Sequence, residues 1–273
     1  MPSPRQTFDN NFRPAELLLQ VYRLFESNNS ISNYDELVTD LKSIVDVKED
    51  EYVHVIINEI FLGLVRESAQ MHPSTFRRST LCHLLRQAIV TSSTALETFL
   101  PALLRENLPT VIQAIGRSFI PLGDKEIMEY FEDLNFSLDE TLRLIDDENA
   151  AIYISNKIIG LANFKYLSSR KGVFVVAKLL GLSNPWEEIA EHLGRDRKEL
   201  MKLMEDAVSR RNDIVHRADR SRDDPEGDPQ EISYAWTKQS VDTINHICLA
   251  LDELVSTRMV NYEELIQPQL NSE

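Results

Sequence analysis

Arg210-Arg211-Asn212-Asp213-Ile214-Val215-His216-Arg217 closes the stretch on which the reading of this chain turns. Upstream of it, Asp196 to Glu199 carries a helix-start signal, and Leu200, Met204, Ala207, Ile214 and Val215 then recur at the spacing of an amphipathic helix. On an ideal helix advancing about 100° per residue, these five side chains form one apolar band with Arg211 at its centre and Arg210 at its edge. An arginine on a core-facing seam must be paired, or must face a cleft or a second subunit, because an unpaired buried charge is costly. His216 lies five positions further on, about 140° away on the same wheel. The two side chains converge only if the last turn distorts or if two copies of the motif combine across a symmetric interface.

The helical rhythm extends outward in both directions. Downstream, residues 219–230 hold Pro225, Gly227 and Pro229 among charges and read as an exposed loop. A long helix over 234–258 follows, with Val241, Ile244, Ile247, Cys248, Leu251 and Leu254 inward, and then a short acidic tail that can form a helix of its own. Upstream, Asn184, Pro185 and Glu187 open a helix that Gly194 ends. Residues 172–181 are β-branched enough for a strand, but a buried helix is favoured by their helical surroundings. Shorter helices are expected over 109–117, 125–134 and 150–167, with another opened by the capping box Ser137-Leu138-Asp139-Glu140. A long helix over 75–106 repeats Leu81, Leu84, Leu85, Ala88, Ile89, Ser92, Leu96, Leu100 and Leu103, and Pro101 is expected to kink or end it. Glu97, beside that stripe, is either a solvated edge residue or the partner of a buried arginine.

At the N-terminal end, residues 1–12 read as a flexible arm. Pro14 then starts a helix on Leu17, Leu18, Val21, Leu24 and Phe25, and 28–33 break it. Further helices are expected over 34–45 and over 51–70, the latter on Val53, Ile56, Ile57, Ile60, Phe61 and Leu64, with a break at 71–74. The fold class is therefore all-α, a multi-helix bundle.

Composition excludes several function classes. The chain of 273 residues has a formal charge of −15, so any contact with a polyanion must be local. Locally the sign inverts: residues 195–222 hold nine Lys or Arg against six Asp or Glu, around the motif. Arg77, Arg78 and Arg86 with His83 form a second basic spot that borders the same cleft if its helix packs on the motif helix. Cys82 and Cys248 lie far apart in apolar helical patterns, so no zinc cluster or disulfide framework can be built from them. No apolar run reaches the roughly 18 residues of a membrane span, and the polar start lacks a signal-peptide core, which points to a cytoplasmic protein. No Gly-rich phosphate loop, His-Glu-x-x-His or nucleophile elbow is present. His72, His83, His192 and His246 read as structural or exposed.

The chemistry the motif can support is specific. Histidine exchanges a proton near neutral pH, and the arginine fork suits phosphate oxygens that gain charge during phosphoryl transfer. On RNA the adjacent 2′-hydroxyl supplies the nucleophile. Attack on the neighbouring phosphate then gives a 2′,3′-cyclic phosphate and a 5′-hydroxyl, and this residue set requires no metal or other cofactor.

Arg211-Asn212-Asp213-Ile214-Val215-His216-Arg217 and the helices around it resemble the HEPN superfamily, in particular its ribonuclease-like members of the RiboL-PSP type. The resemblance covers residues 184–258 and, more loosely, 75–106. It implies a helical bundle built on two hairpins, with motif helices facing each other in a homodimer with a composite site. It also implies a metal-independent endoribonuclease of toxin–antitoxin or antiviral defence systems, acting on RNA and held by an antitoxin or other defence partner. By this likeness Arg211 is the motif arginine, Asn212 the polar residue after it and His216 the motif histidine, with Arg210, Arg217 and Arg220 as weaker RNA-binding candidates. Residues 75–260 would form the HEPN-like domain, with a helical insert at about 106–183, an N-terminal helical region at 1–74 and a short tail at 261–273. The departures from the family are the insert and the N-terminal region. Inactive scaffolds also occur in the family, so the alternative is a non-catalytic helical interaction module in which Arg211 pairs with a carboxylate such as Glu97.

Overall fold

The structure is a computed structural model that describes residues 2–26, 34–48, 51, 53–57, 60–66, 77–120, 124–145 and 147–270. The expected breaks at 28–33 and 71–74, with His72, lie outside the described residues. Among the described residues, ten α-helices and one two-stranded antiparallel sheet follow in the order α1 (Pro4–Phe25), α2 (Tyr34–Ile44), β1 (Val53–Ile57), β2 (Leu62–Arg66) and α3 (Arg78–Ile115). Then come α4 (Lys125–Met128), α5 (Leu138–Ile145), α6 (Ala150–Ile159), α7 (Arg170–Leu179), α8 (Pro185–His192), α9 (Arg197–Arg217) and α10 (Tyr234–Leu270). The fold class is all-α.

Helix α3 is the spine, against which α1, α6, α7, α9 and α10 pack. Leu85, Ile89, Leu96, Phe99, Leu100, Leu104 and Leu108 along it are fully buried. Pro101 neither ends this helix nor divides it from the segment expected at 109–117: Pro101 and Pro109 both lie within α3. Each proline inside a helix costs about 3 kcal/mol. Burial of the leucines on either side, at about 1.5–3 kcal/mol each, offsets that cost.

Three further expectations need correction. The N-terminal arm is helical: Ser3 accepts from the Gln6 N–H while Gln6 reaches back to the Ser3 N–H, and Pro4 takes the first turn. Phe8, Phe12, Ala15, Leu19 and Tyr22 form the buried face of α1, which leaves Leu17 exposed and Pro14 on the outside. Secondly, in place of the helix expected over 51–70, Val53–Ile57 and Leu62–Arg66 pair as antiparallel strands, with Val53 opposite Arg66 and Ile57 opposite Leu62; positions 52, 58–59 and 67–70 of that expectation lie outside the described residues. Val53, Val55, Ile56 and Ile57 are β-branched within a five-residue run, and Gly63 interrupts any helix beyond it, so cross-strand pairing wins over helical periodicity.

Thirdly, α10 runs unbroken to Leu270 rather than giving way near Arg258 to a separate tail helix. Met259 is buried on it and Tyr262 packs against Gly181, where an added Cβ would lie 2.3 Å from the Tyr262 hydroxyl oxygen. Gly181 also has φ +94, so the helix end before it and the close approach of α10 both depend on the missing side chain.

Residues 170–179 are the buried helix that their surroundings favoured, with Ser169 accepting from the Gly172 N–H. The Ser137–Glu140 capping box is present in both directions. At α8 the Asn184 side chain makes no cap; the Asn184 N–H donates instead to Glu188 Oε1 at 2.8 Å. Asp196 Oδ1 accepts from the Glu199 N–H at 2.9 Å and so fixes where α9 begins. Helix α9 then packs on α3, α10 and α8.

Candidate active site on the motif helix

The two halves of α9 differ in cover. Leu200, Met204 and Ala207 are its buried positions, whereas from Val208 onward no residue of the helix is fully buried, and Val215 is 48% exposed. The first half anchors the helix in the bundle. The second half, which carries the motif, presents an apolar and polar strip to the outside.

Helix α9 does not distort before Arg217. It ends on two consecutive left-handed residues, Ala218 at φ 50 and Asp219 at φ 64, and the Asp219 N–H donates to the Asp213 carbonyl at 2.9 Å. This conformation is costly for a non-glycine residue, so it persists only where tertiary contacts fix it. Here Asp219 supplies the contacts. Its fully buried carboxylate receives Arg86 Nε at 2.7 Å and Arg210 Nη2 at 2.9 Å, with Arg210 Nε at 2.6 Å from its other oxygen. The same guanidinium groups donate to backbone carbonyls of the returning loop, Arg86 to Gln230 and Arg210 to Gln230 and Glu231. The Gln230 N–H closes the ring on the Asp219 carbonyl at 2.8 Å. One carboxylate, just past the end of the motif, thus ties together α3, α9 and the loop into α10.

That clamp corrects the reading of residues 219–230 as a wholly exposed loop, because Asp219 is 0% exposed. A left-handed aspartate leaves no periodic trace in sequence. The signal that existed was indirect: a second arginine, Arg210, at the edge of the apolar band.

Arg211 faces the other side of α9, toward the middle of α3. Its Nη2 lies 3.4 Å from Glu97 Oε2, whose oxygen also receives the Ser168 hydroxyl at 3.5 Å, and its Nη1 donates to Asn212 Oδ1 at 3.1 Å. Arg211 Nε is buried with no hydrogen-bond partner among the described residues. The ion pair is long for a charge-assisted hydrogen bond and both side chains keep about a quarter of their exposure, so the fork is incompletely occupied.

Asn212 and His216 are exposed and stand four residues apart, one turn above the other on one face. Asn212 therefore links the two motif residues: it touches Arg211 and neighbours His216. Arg211 and His216 themselves diverge, as expected of a regular helix. Among the weaker candidates, Arg210 is held in the clamp, Arg217 pairs with Asp213, and Arg220 Nε donates to the Gly227 carbonyl at 2.8 Å. The second basic spot does reach this region, since Arg86 shares Asp219 with Arg210.

The remaining features lie apart from the motif. His192 Nε2 sits 2.9 Å from Glu253, and both cysteines are buried thiols. Among the described residues no group of three or more His, Cys, Asp or Glu is arranged to hold a metal ion, and no helix is long and apolar enough to cross a membrane.

Compared with known protein families, the chain matches the family model described as RiboL-PSP-HEPN over residues 64–257. No curated protein and no solved structure matches it.

Proposed function

Because the chain belongs to the RiboL-PSP-HEPN family, we propose that it is a metal-independent endoribonuclease whose active site forms between two copies of α9. The observation that carries this reading is the state of the motif: an incompletely occupied arginine fork on the seam and an exposed asparagine and histidine beside it. Asn212 and His216 are exposed, and Arg211 keeps about a quarter of its side-chain exposure.

A symmetric pairing of the motif halves of α9 would bring Arg211 of one copy to His216 of the other, twice per dimer. His216 takes the proton from a 2′-hydroxyl, whose oxygen attacks the adjacent phosphorus. The P–O5′ bond breaks, and water protonates the leaving 5′-oxygen. Arg211 binds the phosphate oxygens as they gain charge, and Asn212 orients the reacting group. The products are a 2′,3′-cyclic phosphate and a 5′-hydroxyl. Single-stranded or looped RNA is the substrate, since an unstacked nucleotide can bend for in-line attack.

In this reading residues 75–260 make up the HEPN-type unit, with 106–183 as inserted helices and 1–74 as an added region. The setting is cytoplasmic toxin or antiphage defence, with an antitoxin or other defence protein as the restraining partner.

Cleavage that persists in chelator and is lost in folded His216→Ala and Arg211→Ala supports this. A second reading, a non-catalytic module, is favoured by the contact of Arg211 with Glu97. Folded wild type and His216→Ala that cleave equally well would overturn the catalytic role of the motif, and folded wild type that cleaves no RNA would favour the second reading.

A further inference from the structure

Trp236, near the start of α10, lines two open cavities at once. One, of about 860 Å³, lies between the first turns of α3, the loop before α10 and Arg210 of α9; its basic walls are Arg78, Arg86, Arg210 and His83. The other, of about 760 Å³, lies along α10 and includes Arg195, Lys238 and His246. Both are within the size range of small-ligand clefts, about 300–1,000 Å³.

The charge around Trp236 runs against the chain. Five lysines or arginines line the two cavities against three acids, Asp228, Glu231 and Asp242, in a protein with 29 basic and 44 acidic residues. Lys238 pairs with Asp242 at 2.6 Å and Arg195 with Glu199 at 3.7 Å, both on the surface where a strand's phosphates can compete with the carboxylates, and the buried Asp219 is shared by Arg86 and Arg210. Arg78 has no ion-pair partner among the described residues, and it is exposed. The first turns of α3 and α10, both without an acidic residue, abut the larger cavity, and their dipoles favour an anion there.

Trp236 is half-buried, with the Arg210 guanidinium 5.6 Å from its ring centroid. A rigid indole between two basic cavities is the arrangement by which proteins hold single-stranded nucleic acid: bases stack on the ring and phosphates track the cations. A double helix offers no free base face to such a ring.

We infer that Trp236 and the flanking cations Arg78, Arg195 and Lys238 form a single-stranded RNA track leading across Arg210 to the motif helix. This inference rests on the ribonuclease reading for its ligand class and adds the surface that holds the strand. The basic spot of Arg78, Arg86 and His83 is legible in the sequence, whereas the tryptophan is not.

The test is anisotropy of a dye-labelled single-stranded 2′-O-methyl oligouridylate on the full-length protein, a probe that lacks the 2′-hydroxyl nucleophile and stays intact. Trp236→Ala is expected to weaken binding about ten-fold or more, with Trp236→Phe recovering most of it. Arg78→Glu and Lys238→Glu are expected to weaken binding and to flatten its salt dependence, the logarithmic slope falling by about 0.7 for each phosphate no longer neutralised. These two exposed positions decide the matter if Trp236→Ala does not fold. Binding that ignores all of these changes, or that is as tight for a 2′-O-methyl duplex, overturns the track. Cleavage of unmodified RNA is read separately: its absence alongside Trp236-dependent binding counts against the ribonuclease reading and leaves the track standing.

Discussion

Arg211 on α9 reaches Glu97 on α3 across 3.4 Å, while its Nε stays buried with no partner among the described residues. A pair this long and about a quarter exposed is worth about 1 kcal/mol at most, well short of the roughly 3–5 kcal/mol lost when one member of a fully buried pair is removed. Arg211→Ala is therefore expected to shift the urea midpoint only slightly while lowering RNA cleavage about 10²–10³-fold. A loss of stability near the buried-pair scale would make Arg211 a structural residue.

Asp219 is the opposite case. It is fully buried between Arg86 and Arg210, so Asp219→Ala leaves two guanidinium groups facing each other without their carboxylate. Urea denaturation is expected to show a loss of about 3–5 kcal/mol. A variant as stable as wild type would mean that something other than this clamp holds the end of α9.

Burial raises the Cys248 thiol well above its ordinary value, with Asp252 adding to the effect. The folded state thus keeps this proton where the unfolded chain loses it. The associated stability is complete below the unfolded thiol's pKa, near 8.5, and declines as pH rises beyond it toward the folded value. Iodoacetamide at mildly alkaline pH is expected to leave Cys248 unmodified in native protein and to alkylate it in urea, as mapped by peptide mass. Equal modification in both would contradict the burial.

The sequence made the all-α class and the face of Arg211 legible because both rest on helical periodicity. Leu200, Met204 and Ala207 face the core as their spacing requires, and the carboxylate proposed for Arg211 is the one found beside it. What stayed hidden does not depend on periodicity. The run at 53–57, four of whose five residues are β-branched, satisfies helix and strand patterns alike, and pairing with 62–66 decides between them. Asp219 belongs to a charged stretch and becomes a core residue only because Arg86 arrives from 133 positions away. Trp236 counts as one more apolar residue until the two cavities beside it are seen.

The central claim is that Arg211 and His216, which diverge on one helix, meet on one phosphate only when two copies pair. Mixing Arg211→Ala with His216→Ala tests it most directly. Each variant alone should be inactive. After subunit exchange, half the dimers are mixed and each holds one complete site, so roughly a quarter of the wild-type cleavage rate should return. A mixture with demonstrated subunit exchange that stays as inactive as its two parents would contradict the composite site.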